Sequence, residues 1–422
     1  MATKKIVGIA LALTALVGAC GTGEDNGDRP ATTAPASSST TEPANSDGPD
    51  AETLAATPPM GWNSWNQVRC YDLNEDVVKR AADAIVRHGL DDLGYRYVVV
   101  DDCWQAPERN SEGALVPDPE RFSSGLADLA DYIHDKGLRF GLYLSPGSET
   151  CAMQWDDYPA TGLGSLGHER QDAEMLADIG VDYLKYDWCG ADEVDGLEPE
   201  TAFAHMRDEL KRLDRPIVYS ISEYGRNEPW KWAPGIANMW RTTSDILPMW
   251  ASIATIINSQ ADLHPYAEPG SWNDPDMLQV GNGPLTDVEA RSHVGMWAML
   301  AAPLMIGTDL DKVTPGVLAA LSNPEVIAID QDPLGRQARR VRDDAGVQVW
   351  VRPLSDGEFA VALLNGGDAP TRVDTDLAEV GIDPGRWKVR DVWAQADGGV
   401  VDGALGADLE PHAMALFRLS PM

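Results

Sequence analysis

Tyr97-Val98-Val99-Val100 runs directly into Asp101-Asp102-Cys103-Trp104, and Tyr183-Leu184-Lys185-Tyr186 into Asp187-Trp188-Cys189. A short apolar run that stops abruptly on charged and aromatic residues reads as a strand buried along its body and open at its C-terminal end. The same unit recurs between residues 58 and 332. Further strand ends fall at Trp62-Asn63-Ser64-Trp65, Tyr143-Leu144-Ser145, Ser222-Glu223-Tyr224, Arg241-Thr242-Thr243-Ser244-Asp245, Asn273-Asp274-Pro275-Asp276 and Gly307-Thr308-Asp309. Amphipathic stretches separate them. Val77, Ala81, Ala84 and Ile85 fall on one helical stripe, and Asp128 to His134 repeats the pattern. Eight strand–helix units predict an α/β fold, a (β/α)8 TIM barrel, in which residues at the C-terminal strand ends line the active site.

Past residue 333 the period changes. Val347–Val351, Phe359–Leu364, Trp387–Val392 and Ala413–Leu419 alternate apolar and polar between Gly, Asp and Pro turns. This predicts a C-terminal antiparallel β-sandwich domain over 333–422, packed on the 58–332 barrel and without its own cluster of catalytic residue types.

The other end of the chain has the anatomy of an export signal: Lys4 and Lys5, an apolar run from Ile6 to Val17, then small residues before Cys20. Val17-Gly18-Ala19-Cys20 resembles a bacterial lipobox, which implies cleavage after residue 19 and a lipid on Cys20. An ordinary secretory signal is the alternative. Residues 21–57 are rich in Ser, Thr, Pro, Asp and Glu and nearly free of large apolar side chains, so they predict a disordered tether. The expected location is the outer face of a bacterial membrane, or secretion.

With 33 basic and 67 acidic residues, 33 − 67 leaves a net charge of −34. That charge repels phosphate backbones and anionic membrane surfaces, arguing against nucleic acid and against membrane contact other than a lipid anchor. A neutral substrate suits it. Of five cysteines, Cys70, Cys103, Cys151 and Cys189 remain once Cys20 is set aside. Export favours disulfides for them, and neither they nor the seven histidines show metal-ligand spacing, so no metal or other cofactor is expected.

Lys185 and Asp187 are two apart on one strand and share a face. A cation beside Asp187 lowers its pKa and keeps it ionised, as a nucleophile or electrostatic stabiliser requires; a structural ion pair would read the same. Asp245 stands on another strand end, where a proton-donating carboxyl could face the first, or where a helix N-cap could sit. Asp101 and Asp102 offer acceptors for vicinal hydroxyls, and Trp62, Trp65 and Trp104 offer platforms for a sugar's C–H face. Gly162 to Gly167 matches G-x-G-x-x-G but follows a loop instead of a strand, which excludes a dinucleotide site.

Pro59-Met60-Gly61-Trp62-Asn63-Ser64-Trp65, Asp101-Asp102-Cys103-Trp104, Tyr183-Leu184-Lys185-Tyr186-Asp187, Trp240 to Ile246 and Trp272 to Leu278 together resemble glycoside hydrolase family 27. The resemblance spans the barrel and implies a retaining exo-glycosidase acting on terminal α-galactosyl residues of oligosaccharides or polysaccharide side chains. It implies Asp187 as nucleophile and Asp245 as acid/base. Asp101 and Asp102 would bind the O4 and O6 side, Lys185 the O3 and O4 hydroxyls and Arg241 the O2 region, with Trp62, Tyr143, Asp276 and Met277 shaping the pocket. It also implies disulfides Cys70–Cys103 and Cys151–Cys189. Around the C2 substituent, Ser222 points towards an α-N-acetylgalactosaminidase and the bulky Tyr224 towards galactose. Asp101 suits a C6 hydroxymethyl better than the arabinopyranose of a β-L-arabinopyranosidase. A non-catalytic carbohydrate-binding protein is the alternative from another class.

Overall fold

The computed structural model describes residues 54–422. The expected signal, the lipidation site at Cys20 and the tether up to residue 53 lie outside the described residues. Of residues 54–57, expected to end the tether, Leu54 and Ala55 are instead packed on the barrel, while Ala56 is exposed. Leu54 and Ala55 lie against Tyr97, Tyr183 and Trp272, and the Ala55 carbonyl accepts from Trp272 Nε1 at 2.7 Å. Leu54 is the large apolar residue the tether composition lacked, and burying it draws the neighbouring backbone into the domain.

Eight parallel strands form the barrel: β1 (Met60–Asn63), β2 (Tyr97–Val100), β3 (Arg139–Leu144), β4 (Tyr183–Asp187), β5 (Val218–Ser222), β6 (Met239–Arg241), β7 (Trp272–Asp274) and β8 (Leu304–Ile306). Their order is β7-β6-β5-β4-β3-β2-β1-β8. The gap between β7 and β8 is closed by the next stretch of chain: Leu278 N–H donates to the Met305 carbonyl at 2.8 Å and Gly307 N–H to the Leu278 carbonyl at 3.1 Å.

Strand alternation divides the side chains into two layers. Tyr97, Val99, Tyr183, Val218, Met239, Trp272 and Met305 fill the barrel interior. Val98, Val100, Leu142, Leu184, Tyr186 and Trp240 face outward into the main apolar cluster shared with the helices. The helix Glu75–Arg87 shows how a covering layer is built. Asn74 caps it by accepting from Val77 N–H, and Val77, Val78, Ala81, Ala82, Ala84 and Ile85 are buried.

Beyond the barrel, β9 (Arg339–Asp344), β10 (Val347–Pro353), β11 (Phe359–Asn365), β12 (Thr371–Asp376), β13 (Trp387–Asp391), β14 (Ala396–Val401), β15 (Ala404–Leu409) and β16 (Met414–Pro421) form two antiparallel sheets. Six strands run in the order β14-β13-β16-β11-β10-β9, and β12 pairs with β15. Val349, Val351, Val361 and Leu363 fill the space between the sheets together with Val373, Leu405 and Leu409. The opposite face of β10, β11 and β16 carries Trp350, Ala360, Ala362 and Leu416, which belong to the barrel's own cluster. Arg352, fully buried on that face, donates to the carbonyls of Ala298 and Asp330.

Disulfides join Cys70 to Cys103 and Cys151 to Cys189. Closing loops of 33 and 38 residues restricts the unfolded chain by roughly 4 kcal/mol each on the loop-entropy account.

Candidate active site

A cavity of about 170 Å³ opens where β2, β3, β4, β6 and β7 end. Inward-facing residues at or just past those ends supply its floor: Asp101, Asp102, Tyr143, Lys185, Asp187, Arg241, Asp276 and Met277. Trp65, Asn66, Arg69, Cys151, Trp155, Asp156, Tyr224 and Asp245 complete the wall and mouth.

Two charge clusters organise it. In the first, Lys185 Nζ lies 2.8 Å from Asp101 Oδ2 and 3.8 Å from Asp187 Oδ2, over the Tyr143 ring. Asp101 Oδ2 also accepts from Asn63 Nδ2 at 2.7 Å. Burial pulls the Lys185 ammonium down, but Asp101 and Asp187 outweigh it and hold the group above its ordinary value. In the second cluster, Arg241 stands 2.7 Å from Asp276 and 3.1 Å from Asp245. Asp276 is fixed from behind by the N–H groups of Ile246 and Met277.

Asp187 accepts the Tyr224 hydroxyl at 2.7 Å. Burial nevertheless pushes its carboxyl up to about 7, against the pull of Lys185 and Tyr224 and with Asp245 and Asp101 adding to the rise. The expectation that Lys185 would keep Asp187 low is therefore corrected: the ammonium is engaged first with Asp101, and desolvation of a nearly enclosed carboxylate wins. Asp245 behaves in the opposite way. Burial raises it, but Arg241, Lys185 and Arg69 hold it below the ordinary carboxylate range, while its side chain stands 63% exposed at the mouth.

The backbone around the cavity is held in conformations that L-residues rarely adopt: φ is +74° at Cys103, +64° at Tyr224 and +86° at Asp276. Such positions cost energy and persist where surrounding structure over-determines them, commonly at functional sites. Here the Cys70–Cys103 disulfide, the Tyr224–Asp187 hydrogen bond and the Arg241–Asp276 pair supply that constraint.

Three residues expected at the site are not in this cavity. Trp62 is buried outside the barrel wall, its indole donating to Gln67 and to the Thr308 carbonyl. Asn63, its neighbour, takes the inward position, and alternation sends Trp62 the other way. Trp104 is likewise enclosed, so of the three tryptophan platforms it is Trp65 that lines the cavity. Ser222, the register partner of Asp187, lines instead a smaller interior space with Asn63, Ser220 and Asp274, which shares Lys185, Arg241, Asp276 and Met277 with the cavity. Arg69, Trp155 and Asp156 were not anticipated.

Among the described residues, Cys151, Asp187 and Cys189 form a cluster with metal-ligand atom types, but the two sulfurs are joined to each other and offer no thiolate. A larger cavity of about 580 Å³, lined by Leu54, Leu210, Ile217 and Ala237 among others, lies at the opposite, N-terminal ends of the strands. That end of a (β/α)8 barrel serves stability, so size is not what marks the site.

A family model described as alpha galactosidase A matches residues 57–332, and one described as the alpha galactosidase C-terminal beta sandwich domain matches 344–419. The chain belongs to the α-galactosidase family. Among α-galactosidases, it is 43% identical over 369 residues to the enzyme of Cyamopsis tetragonoloba, covering 87% of each chain. The structure of α-galactosidase I from Mortierella vinacea superposes with a TM-score of 0.82 at 34% identity, covering 88% of this chain and 99% of that one. The α-galactosidase of Saccharomyces cerevisiae solved with raffinose gives 0.78 at 30% identity, covering 87% and 98%.

Proposed function

We propose that the chain hydrolyses terminal α-D-galactosyl residues by double displacement, with Asp187 as nucleophile and Asp245 as acid/base. The observation that carries this is the placing of two carboxylates on different strand ends around one polar cavity, Asp187 enclosed at its floor and Asp245 exposed at its mouth. The leaving group departs through the mouth and water enters there, so the proton donor belongs at the mouth and the nucleophile behind the sugar.

In the first step an Asp187 oxygen attacks the anomeric carbon while Asp245 gives its proton to the glycosidic oxygen, releasing the alcohol and leaving a galactosyl ester. In the second, Asp245 takes a proton from water as the water oxygen attacks the same carbon. Asp187 leaves as carboxylate and galactose keeps its α configuration. Lys185, Asp101 and Asp102 ring the floor where the O3, O4 and O6 hydroxyls would lie, Arg241 the O2 side. Tyr143 and Met277 provide apolar wall.

The resting pair shares one proton between a low-titrating Asp245 and an Asp187 near 7. Catalysis needs that proton on Asp245. A bound sugar supplies the transfer: it covers the exposed Asp245, and burial raises a carboxyl, while the charge developing at the anomeric carbon favours an ionised Asp187. Tyr224, which reaches the cavity where Ser222 does not, fills the space an N-acetyl group at C2 would need and favours galactose.

Two disulfides suit an exported protein, and Cys20 would tether it to the membrane by a lipid; Cys20→Ala should then release the enzyme into the medium. The function is tested by turnover of p-nitrophenyl α-D-galactopyranoside, α-N-acetylgalactosaminide and β-L-arabinopyranoside by the wild type and Asp187→Asn. Turnover of the galactoside, lost in the variant, is expected. Preference for the N-acetyl sugar would overturn the role given to Tyr224, and no turnover at all would overturn the function.

A further inference from the structure

The cavity mouth carries side chains that stand outside the groups assigned to the galactosyl ring, although Arg69 also acts at a distance on Asp245. Trp155 closes the short helix Cys151–Trp155 with its side chain 51% exposed and meets Tyr224 edge-on, ring centroids 6.3 Å apart. Next to it Asp156 pairs with Arg69 at 3.7 Å, and the Arg69 guanidinium lies over the Trp65 ring. Arg69 itself sits at φ +46°. Each half of this rim is anchored by a disulfide: Arg69 adjoins Cys70, and Trp155 follows Cys151 by one helical turn. A half-exposed indole fixed in place at the edge of a sugar-sized cavity is an unused platform.

We propose that Trp155, Arg69 and Asp156 form a leaving-group subsite for a second sugar, so that the preferred substrates are α-galactosyl oligosaccharides and not galactosides of apolar alcohols, a specificity that rests on the α-galactosidase function proposed above. The indole takes the apolar C–H face of the ring linked to galactose. The guanidinium donates to its hydroxyls and the Asp156 carboxylate accepts from them. An alkyl chain in the same place would strip water from the ion pair and return no hydrogen bond, which is costly. The nearest apolar alternative is the shallow trough beyond Asp245, where Leu247 and Met249 are 50% and 45% exposed. It lacks an aromatic face, and the Thr255 and Ser259 hydroxyls in it are spent on their own helix carbonyls.

The test compares kcat/KM of the full chain for α-galactosyl-(1→6)-glucose, octyl α-galactoside and α-galactosyl fluoride, whose leaving group is a bare ion. In Trp155→Ala the ratio of disaccharide to fluoride should fall about tenfold, and Trp155→Phe, which keeps an aromatic face, should recover most of it. Asp156→Ala should lower the same ratio without touching the indole or the Arg69 charge that acts on Asp245. An unchanged ratio in Trp155→Ala and Asp156→Ala, with the fluoride still turned over, overturns the subsite and leaves the galactosidase function standing. Preference of the parent for the octyl galactoside also overturns it and points to the Leu247–Met249 trough. Failure of the parent on every substrate takes down the function and the subsite together.

Discussion

Replacing Tyr224 by phenylalanine removes one oxygen and keeps the ring that faces Arg241 and Trp155. The lost hydroxyl donates to Asp187 at 2.7 Å, and it is one of two groups opposing the rise of that carboxyl to about 7. A hydrogen bond to a charged acceptor contributes about 1.5–3 kcal/mol, and at about 1.4 kcal/mol per tenfold the Asp187 titration should climb by roughly one to two pH units. The pair shares one proton, and productive binding needs it on Asp245. Loss of the donor moves the proton further towards Asp187 and cuts the reactive form by roughly ten- to a hundredfold. The sign then depends on pH. Between the two titrations kcat/KM should fall by that factor. Above the raised upper titration, both enzymes reach the reactive form by protonating Asp245 beside an Asp187 already ionised, so their rates should converge. The assay is kcat/KM for p-nitrophenyl α-D-galactopyranoside from about pH 4 to pH 9. A uniform loss at every pH, with the alkaline limb unmoved, would refute the reasoning and place the hydroxyl on the substrate.

Asp245→Asn should abolish hydrolysis of the disaccharide but leave galactosyl-enzyme formation from the nitrophenyl galactoside, and azide should then restore turnover, giving α-galactosyl azide; a β product would reverse the two carboxylates' roles. Gly225→Ala should lower both melting temperature and kcat/KM, the latter by more than about tenfold. At φ +74° the new Cβ falls 2.2 Å from the Thr242 carbonyl oxygen, on the segment that carries Arg241 and Asp245, and full activity would show that this segment can move freely. Asp330 is fully buried with one carboxyl oxygen unpartnered among the described residues, and burial pushes it up to about 8 in spite of Arg352. Its folded pKa exceeds its unfolded one, so the stability it confers is complete below about pH 4 and lost as pH rises to about 8, at up to about 1.4 kcal/mol per unit. Asp330→Asn should flatten that slope in urea unfolding between pH 4.5 and 7.5; an identical slope would mean that Asp330 is already ionised in the fold.

The barrel strands were legible because a parallel strand buried on both faces reads as a bare apolar run that ends where the chain meets the cavity. Tyr97–Val100 before Asp101 and Tyr183–Tyr186 before Asp187 show the transition within one residue. Alternation carries further information: Asn63 faces inward, so Trp62 faces outward, and the platform is Trp65, beyond the strand end. Ser222 is the last residue of β5, whereas Tyr224 lies past the strand end at φ +64°, so alternation reports the direction of the first and not of the second. Arg69, Trp155 and Asp156 stand at the ends of short helices beside the two disulfides, and no periodicity reports that. Adjacency of Lys185 to Asp187 is visible in a sequence, but the enclosure of Asp187 and the closer claim of Asp101 on the ammonium, which decide the balance, are not. In the second half, β10, β11, β13 and β16 carry apolar alternation. The strands β9, β12, β14 and β15 are largely exposed and carry few large apolar residues, β9 being mostly charge, as in Arg339-Arg340-Val341-Arg342-Asp343-Asp344, and β14 and β15 containing glycine, so little in them distinguishes strand from loop.

Trp350, Ala360, Ala362 and Leu416 sit in the sandwich by sequence and in the barrel by packing. A chain ended after Asp332 would leave the barrel with a greasy scar where those side chains had been, and a sandwich made alone would carry the matching one. Neither half is therefore a portable module. Recombination that swaps the second for an unrelated domain would have to rebuild the seam residue by residue, so the two are expected to be inherited together and to melt in one calorimetric transition.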